Sequence, residues 1–147
     1  MGEPAAILYL AGCLPTRSET FVYREVFALR ELGVRVRTAS VHAPARALDD
    51  GPLEALAAET LAIYPRGVAS ILADAAAELA ARPARTAGTI ARAVRDAITA
   101  DDARGFRRAK VLWQALAALS LARRGRPDRI AHVHAHMAHV PATSAMY

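Results

Sequence analysis

The chain is poor in cysteine and in aromatic residues. Cys13 is the only cysteine among 147 residues, so the chain can form neither an internal disulfide nor a cysteine-based metal cluster. This usage gives no indication of an oxidising compartment, and we expect a cytoplasmic protein. Aromatic residues make up 5% of the sequence. Because base stacking needs aromatic side chains, nucleic acid is not an expected partner.

The sequence also lacks an apolar run of the length that crosses a bilayer, which is about 18 residues. The longest apolar stretches are 5–14 and 111–122. Residues 10–13 match the lipobox of bacterial lipoproteins, but the only charge before the apolar stretch is the acidic Glu3, whereas a signal peptide begins with basic residues. A buried strand is the better interpretation of this stretch.

Phosphate-binding fingerprints are missing as well. The sequence contains neither G-x-G-x-x-G nor a P-loop, and no acidic residue ends the second predicted strand to hold a ribose. A nicotinamide-dependent enzyme is therefore not expected. What is present is a globular composition, with 54% hydrophobic and 22% charged residues.

Three patterns follow one another in the first forty residues. Residues 5–11 are continuously apolar, which predicts a strand buried on both faces. Apolar residues then recur at helical spacing up to about Leu32, and Gly33 is the expected stop of that helix. Residues 34–40 alternate as a second strand. Together these elements predict one βαβ unit with a parallel sheet.

Helical patterns then fill residues 43–128, and their breaks divide them into about four helices. Residues 129–134 predict a third strand, and Pro141 is expected in the first turn of a further helix. The predicted fold is therefore α/β, a Rossmann-like parallel sheet with a helical insertion. Because the sequence stops soon after that last helix begins, we expect residues 1–147 to form part of a larger domain.

Basic residues are concentrated in residues 82–129, which carry 12 basic and 4 acidic side chains. This distribution leaves two interpretations open, a solvated helical face or a surface that meets an anionic membrane. Trp113 and its apolar neighbours either form part of such a membrane surface or pack on the sheet. The membrane-facing candidates are Arg107, Arg108, Arg123 and Arg124.

The loop after the first predicted strand is the first candidate site. In open α/β sheets ligands bind beyond the carboxyl ends of the strands, so residues 12–18 and the helix start behind them face the expected crevice. Thr16 and Glu19 fit the capping-box pattern T-x-x-E. These two residues are therefore candidates either for a helix cap or for contact with a ligand.

The second candidate site is the histidine-rich stretch that begins at His132. Side chains alternate along a strand, so His132, His134 and His136 should share one face. Three imidazoles on one face can bind a metal, but the sequence reveals no convergent carboxylate or cysteine to complete the ligand set. We therefore favour a strand that ends near His134, with the later histidines in a turn at the carboxyl edge of the sheet, where they make polar contacts to an oxygen-rich ligand. We predict neither a metal site nor a cofactor.

Together the two stretches resemble a known family. The stretch Pro15-x-x-Ser-Glu-Thr-Phe-x-x-x-Glu25 resembles the opening block of the family 4 glycosyltransferases that build bacterial exopolysaccharides, colanic-acid type enzymes among them. The stretch His132-Val-His-Ala-His-Met-Ala138, followed by Pro-Ala-Thr143, resembles the second block, although the family more often has phenylalanine at Met137. The resemblance is clearest over residues 5–41 and 129–147.

The resemblance implies the GT-B architecture, in which an N-terminal Rossmann-like domain receives the acceptor and a C-terminal one holds the nucleotide sugar. Such enzymes retain the anomeric configuration and need no bound metal. Residues 1–147 would be part of the acceptor-side domain, without the donor-binding domain. The substrate-binding residues that the resemblance implies are Pro15, Ser18, Glu19, Thr20, His134 and His136.

We therefore expect the N-terminal part of a retaining glycosyltransferase for exopolysaccharide biosynthesis, inactive by itself. The complete enzyme would move a sugar from a nucleotide-sugar donor to a glycan or lipid-linked acceptor, in the cytoplasm or peripherally at the inner face of the membrane. The alternative is a non-catalytic α/β binding module that uses its basic helices on a membrane or a protein partner.

Overall fold

The computed structural model describes residues 5–45, 51–99, 105–137 and 140–147. Within these ranges the chain forms a parallel sheet flanked by helices. The strands are β1 (Ala6–Ala11), β2 (Val36–Ser40), β3 (Leu61–Ala62) and β4 (Ile130–Ala135). The helices are α1 (Thr20–Glu31), α2 (Gly51–Glu59), α3 (Val68–Ala81), α4 (Pro83–Thr99), α5 (Gly105–Gly125) and α6 (Val140–Met146).

The four strands run parallel in the order β3-β2-β1-β4, so β1 lies inside the sheet. Its register places Leu10 opposite Ala39 of β2 on one side and opposite Ala135 of β4 on the other. A strand in this position is covered on both faces, which explains why β1 is a continuous apolar run. The predicted α/β class and the parallel sheet are confirmed.

Side chains of β1 alternate between two apolar layers. Leu8 and Leu10 belong to a cluster with Ile71 of α3 and Leu121 of α5. Tyr9 belongs to a second cluster, with residues of α1, α2 and β2. Helices therefore cover both faces of the sheet, and the fully buried aliphatic side chains contribute about 1.5 to 3 kcal/mol each to folding. Trp113 packs against the first cluster, as the packing interpretation predicted.

The structure confirms the β1-α1-β2 unit and the strand at β4, and the described residues between β2 and β4 form four α-helices. Gly33 has a φ of +79°, which suits its position after the end of α1. The expectation of helix almost throughout residues 43–128 is wrong at Leu61–Ala62, which form β3 and extend the sheet beside β2. Two residues are too few to produce an alternating pattern, so β3 left no signal in the sequence.

Helix α5 is buried along much of its length. It packs against α3, α4 and α6, and its buried residues include the polar Gln114 and Ser120. A helix surrounded in this way is apolar on most sides, so its hydrophobic residues do not mark a single exposed face. In the described part of the chain, no helix is long and apolar enough to cross a membrane.

Two neighbouring residues of α3 test the assignment of the apolar layer. Ile71 is 0% exposed, whereas Leu72 is 47% exposed. Ile71→Ala should lower the free energy of unfolding by about 2 to 5 kcal/mol, because it removes buried methyl groups and leaves a cavity. Leu72→Ala is the matched control and should cost about 0.5 kcal/mol. Urea denaturation measures both, and equal losses would contradict the orientation of α3.

Candidate functional site

The two candidate sequence stretches meet at the carboxyl ends of β1 and β4. The chain leaves β1 through α1 on one face of the sheet and reaches β4 after α3 and α5 on the other face. The strand order therefore reverses between β1 and β4, which is where open α/β sheets form their ligand crevice. At this point the backbone N–H of His136 donates to the carbonyl oxygen of Leu10 at 2.8 Å.

Buried contacts hold the loop after β1 in position. The buried Leu14 N–H donates to the hydroxyl oxygen of Ser40 at 3.0 Å. The Leu14–Pro15 peptide is cis, and the Pro15 side chain is fully buried. Because its side chain is buried, the ring of Pro15 is not accessible to a ligand. Ser18 and Thr20 are exposed, as contact with a ligand requires.

The capping-box interpretation of this loop is wrong. Helix α1 begins at Thr20, its N-cap is Glu19, and that N-cap makes no side-chain hydrogen bond. The Glu19 N–H instead donates to the Thr16 carbonyl oxygen at 3.4 Å. Thr16 therefore lies in a turn before the helix, too early to cap it. The Oε2 atom of Glu19 is buried and has no hydrogen-bond partner.

Strand β4 ends at Ala135, so His132 and His134 lie on the strand and His136 lies just after it, close to the predicted strand end. The ring of His134 stacks on Tyr9 of β1, with centroids 4.8 Å apart and planes inclined by 22°. The His136 ring lies 4.5 Å from that of His134, and the His132 ring lies 6.5 Å away on the other side. His132 is exposed, whereas the His136 side chain is only 10% exposed.

Helix α1 contributes the carboxylate of Glu25, which was not predicted to be part of this site. The Tyr9 hydroxyl donates to Oε1 of Glu25 at 2.9 Å, and Oε2 of Glu25 lies 3.7 Å from Nε2 of His136. The premise that no carboxylate converges on the histidines is therefore wrong. In the structure Glu25 lies one turn after Phe21, whose ring is 5.9 Å from that of His136. This contact depends on how α1 packs across the sheet, so it has no local signal in the sequence.

Burial and neighbouring charges set the protonation of this cluster. Burial lowers the pKa of His136 below its ordinary value, His134 lowers it further, and the charges of Glu25 and Glu19 act against the shift. Burial, the hydrogen bond to Glu25 and that carboxylate's charge raise the pKa of Tyr9 to about 12. At neutral pH, Tyr9 is therefore a hydroxyl donor and His136 is a neutral imidazole with one donor and one acceptor nitrogen.

The proposed membrane-facing residues lie at the two ends of α5, about 22 Å apart along the axis at the helical rise. Arg108 is exposed and Arg123 is half-buried. Arg124 donates to the carbonyl oxygen of Ala62 at 2.7 Å, which ties α5 to β3. The side chain of Arg107 lies outside the described residues, as do Ala138 and His139 of the histidine-rich stretch.

A cavity of about 520 Å³ lies on the opposite face of the sheet, between β4, α5 and α6. Its walls include the core residues Leu8, Leu10 and Leu121. Arg126 at its edge is already paired with the buried Glu78 of α3. Polar side chains also line this cavity, and the Nε atom of Arg126 and the hydroxyl oxygen of Ser144 are buried without a hydrogen-bond partner in the described part of the chain.

Comparisons with family models, with curated proteins and with solved structures found no match to this chain. The chemistry of the site therefore follows from its own groups. Exposed hydroxyls, a neutral imidazole and two carboxylates can together donate and accept hydrogen bonds, and the same nitrogen and oxygen atoms are metal ligands.

The charges around His136 predict how the pKa of His136 changes when either His134 or Glu25 is substituted. His134→Gln removes a neighbouring positive charge and should raise the pKa of His136, whereas Glu25→Gln removes a negative charge and should lower it further. The pH titration of the His136 ring protons by NMR, with a chelator present, measures all three proteins. A His136 pKa that is unchanged in both variants would contradict the cluster.

Proposed function

We propose that this chain is the acceptor-side part of a retaining glycosyltransferase that moves a sugar from a nucleotide-sugar donor to a glycan or lipid-linked acceptor. The observation that carries the proposal is the meeting of two sequence blocks. The loop before α1 and the histidines of β4 each resemble a block of the family 4 glycosyltransferases, and they lie together at the crevice position of a parallel sheet.

The chemistry of the crevice supports a polyhydroxylated ligand. A sugar hydroxyl both donates and accepts hydrogen bonds. The loop before α1 carries the exposed residue Ser18, α1 begins with the exposed Thr20, and β4 contributes the half-buried imidazole of His134. Phe21 is 53% exposed and adds an apolar surface next to these polar groups. Binding sites for small molecules combine apolar walls with a few placed polar groups in this way.

Contact with an anionic membrane surface is a second part of the proposal, since a lipid-linked acceptor lies at such a surface. Arg108 and Arg123 are the residues we assign to this contact. Arg124 is not assigned, because its guanidinium is engaged with the Ala62 carbonyl. Each basic residue close to an anionic leaflet contributes about 1 kcal/mol to binding.

Co-sedimentation with vesicles tests both parts in one assay, run with a chelator. In the sugar arm, phosphatidylcholine vesicles carry a neutral glycolipid with glucose, galactose or mannose. The chain should prefer vesicles with at least one of these sugars. Ser18→Ala combined with His134→Gln should weaken that preference about tenfold, the effect of losing two hydrogen bonds.

In the anionic arm, phosphatidylglycerol in the vesicles should increase the bound fraction of the protein at low salt. Arg108→Gln combined with Arg123→Gln should reduce that bound fraction.

The matched control for the sugar arm is Thr99→Ala combined with His132→Gln, which changes an exposed threonine and an exposed histidine that are not among the substrate-binding residues implied by the resemblance. It should leave the sugar preference unchanged. Equal binding to vesicles with and without all three sugars would overturn the acceptor assignment. Binding that depends on anionic lipid alone would instead favour a non-catalytic membrane-binding module.

A further inference from the structure

Glu25, His134 and His136 form a compact set of metal-ligating groups. One ligand atom from each side chain lies within 4.8 Å of the other two. The two atoms contributed by Glu25 and His136 are closer, since Oε2 and Nε2 are 3.7 Å apart. The ligand atoms of a tetrahedral zinc ion are about 3.3 Å apart. Small side-chain rotations would therefore bring all three onto one ion.

The buried imidazole of His136 supplies independent evidence for a ligand. Its side chain is 90% buried, and its Nε2 atom has no hydrogen-bond partner in the described part of the chain. A buried polar atom without a partner costs about 1 to 3 kcal/mol, and such atoms in native structures often mark an ion or a functional role. Nε2 is directed towards the Glu25 carboxylate, so an ion between them would satisfy it.

The residues behind these ligands hold them in position. Tyr9 is 3% exposed, donates its hydroxyl proton to Oε1 of Glu25 and stacks on the ring of His134. Oε2 of Glu25 is thereby left for another partner. A buried donor that orients a carboxylate ligand, together with a ring that fixes an imidazole, is the usual second layer of a protein metal site.

A further carboxylate lies close to the cluster. Glu19 is near enough for its charge to act on His136, and its Oε2 atom is buried without a hydrogen-bond partner. The negative charge of Glu19 would therefore favour a divalent cation bound beside His136.

We propose that Glu25, His134 and His136 bind one divalent transition-metal ion, with zinc as the best fit. Two imidazoles and a carboxylate favour zinc over magnesium or calcium, which prefer oxygen ligands alone. The ion would connect α1 to the carboxyl end of β4, two elements with 98 residues between them. This assignment goes beyond the acceptor proposal and does not depend on it.

Calorimetric titration of the chelator-treated, untagged full chain with zinc chloride tests the assignment. We expect one equivalent of zinc to bind in the micromolar range or tighter. Glu25→Gln, His134→Gln and His136→Gln should each weaken binding about tenfold or more, and Tyr9→Phe should weaken it to a smaller extent. His132→Gln is the matched control and should leave the affinity unchanged, because His132 is exposed and outside the ligand set.

Two measurements on the unaltered chain keep the test informative if a variant fails to fold. Zinc should shift the NMR signals of the His134 and His136 rings and leave those of His42 unchanged, and bound Co²⁺ should show the strong visible bands of a tetrahedral site. Absence of zinc binding would overturn the proposal. So would zinc binding that survives Glu25→Gln or that is lost equally in His132→Gln. Because the vesicle assay contains a chelator, its outcome is independent of this one.

Discussion

Parallel pairing of β1 with strands on both of its sides is the constraint on which the rest of the structure depends. An apolar hexapeptide can occupy this position because both of its faces are covered, Leu8 and Leu10 by α3 and α5, and Tyr9 by α1. The two neighbouring strands are reached through helices on opposite faces of the sheet. That arrangement opens the crevice at the carboxyl end of β1 and directs the loop before α1 towards the histidines of β4.

Elements with a strong period could be predicted from the sequence, and elements defined by tertiary contact could not. The apolar run of β1, the helical spacing of α1 and the glycine and proline breaks among the later helices are local signals. The strand β3 has two residues and exists because it pairs with β2. The pattern at Thr16 and Glu19 matched a helix cap, but Thr16 lies in a turn before α1, and the helix begins only at Thr20.

The candidate site shows the same division. Alternation along β4 predicted that His132 and His134 share one face, and the strand end near His134 was predicted from the sequence as well. Glu25 could not be assigned to them from the sequence, because its position depends on how α1 packs across the sheet. Tyr9 fixes that position through its hydrogen bond to Glu25, a contact between residues 16 apart. The residue that changes the chemistry of the site is therefore the one that only the packing reveals.

The polar cluster lowers the stability of the fold, because Glu19 and His136 each bury an atom that has no hydrogen-bond partner in the described part of the chain. Both residues lie close to the crevice, and the metal proposal supplies a partner for Nε2 of His136. The sugar and metal proposals both require that the His136 ring lies against β1 and α1.

Nuclear Overhauser contacts of the His136 ring test that requirement most directly. The structure predicts contacts from this ring to the rings of Tyr9 and Phe21, whose centroids are 5.3 Å and 5.9 Å away. A His136 ring that shows contacts only to its own strand and turn would contradict the convergence of the two sequence blocks.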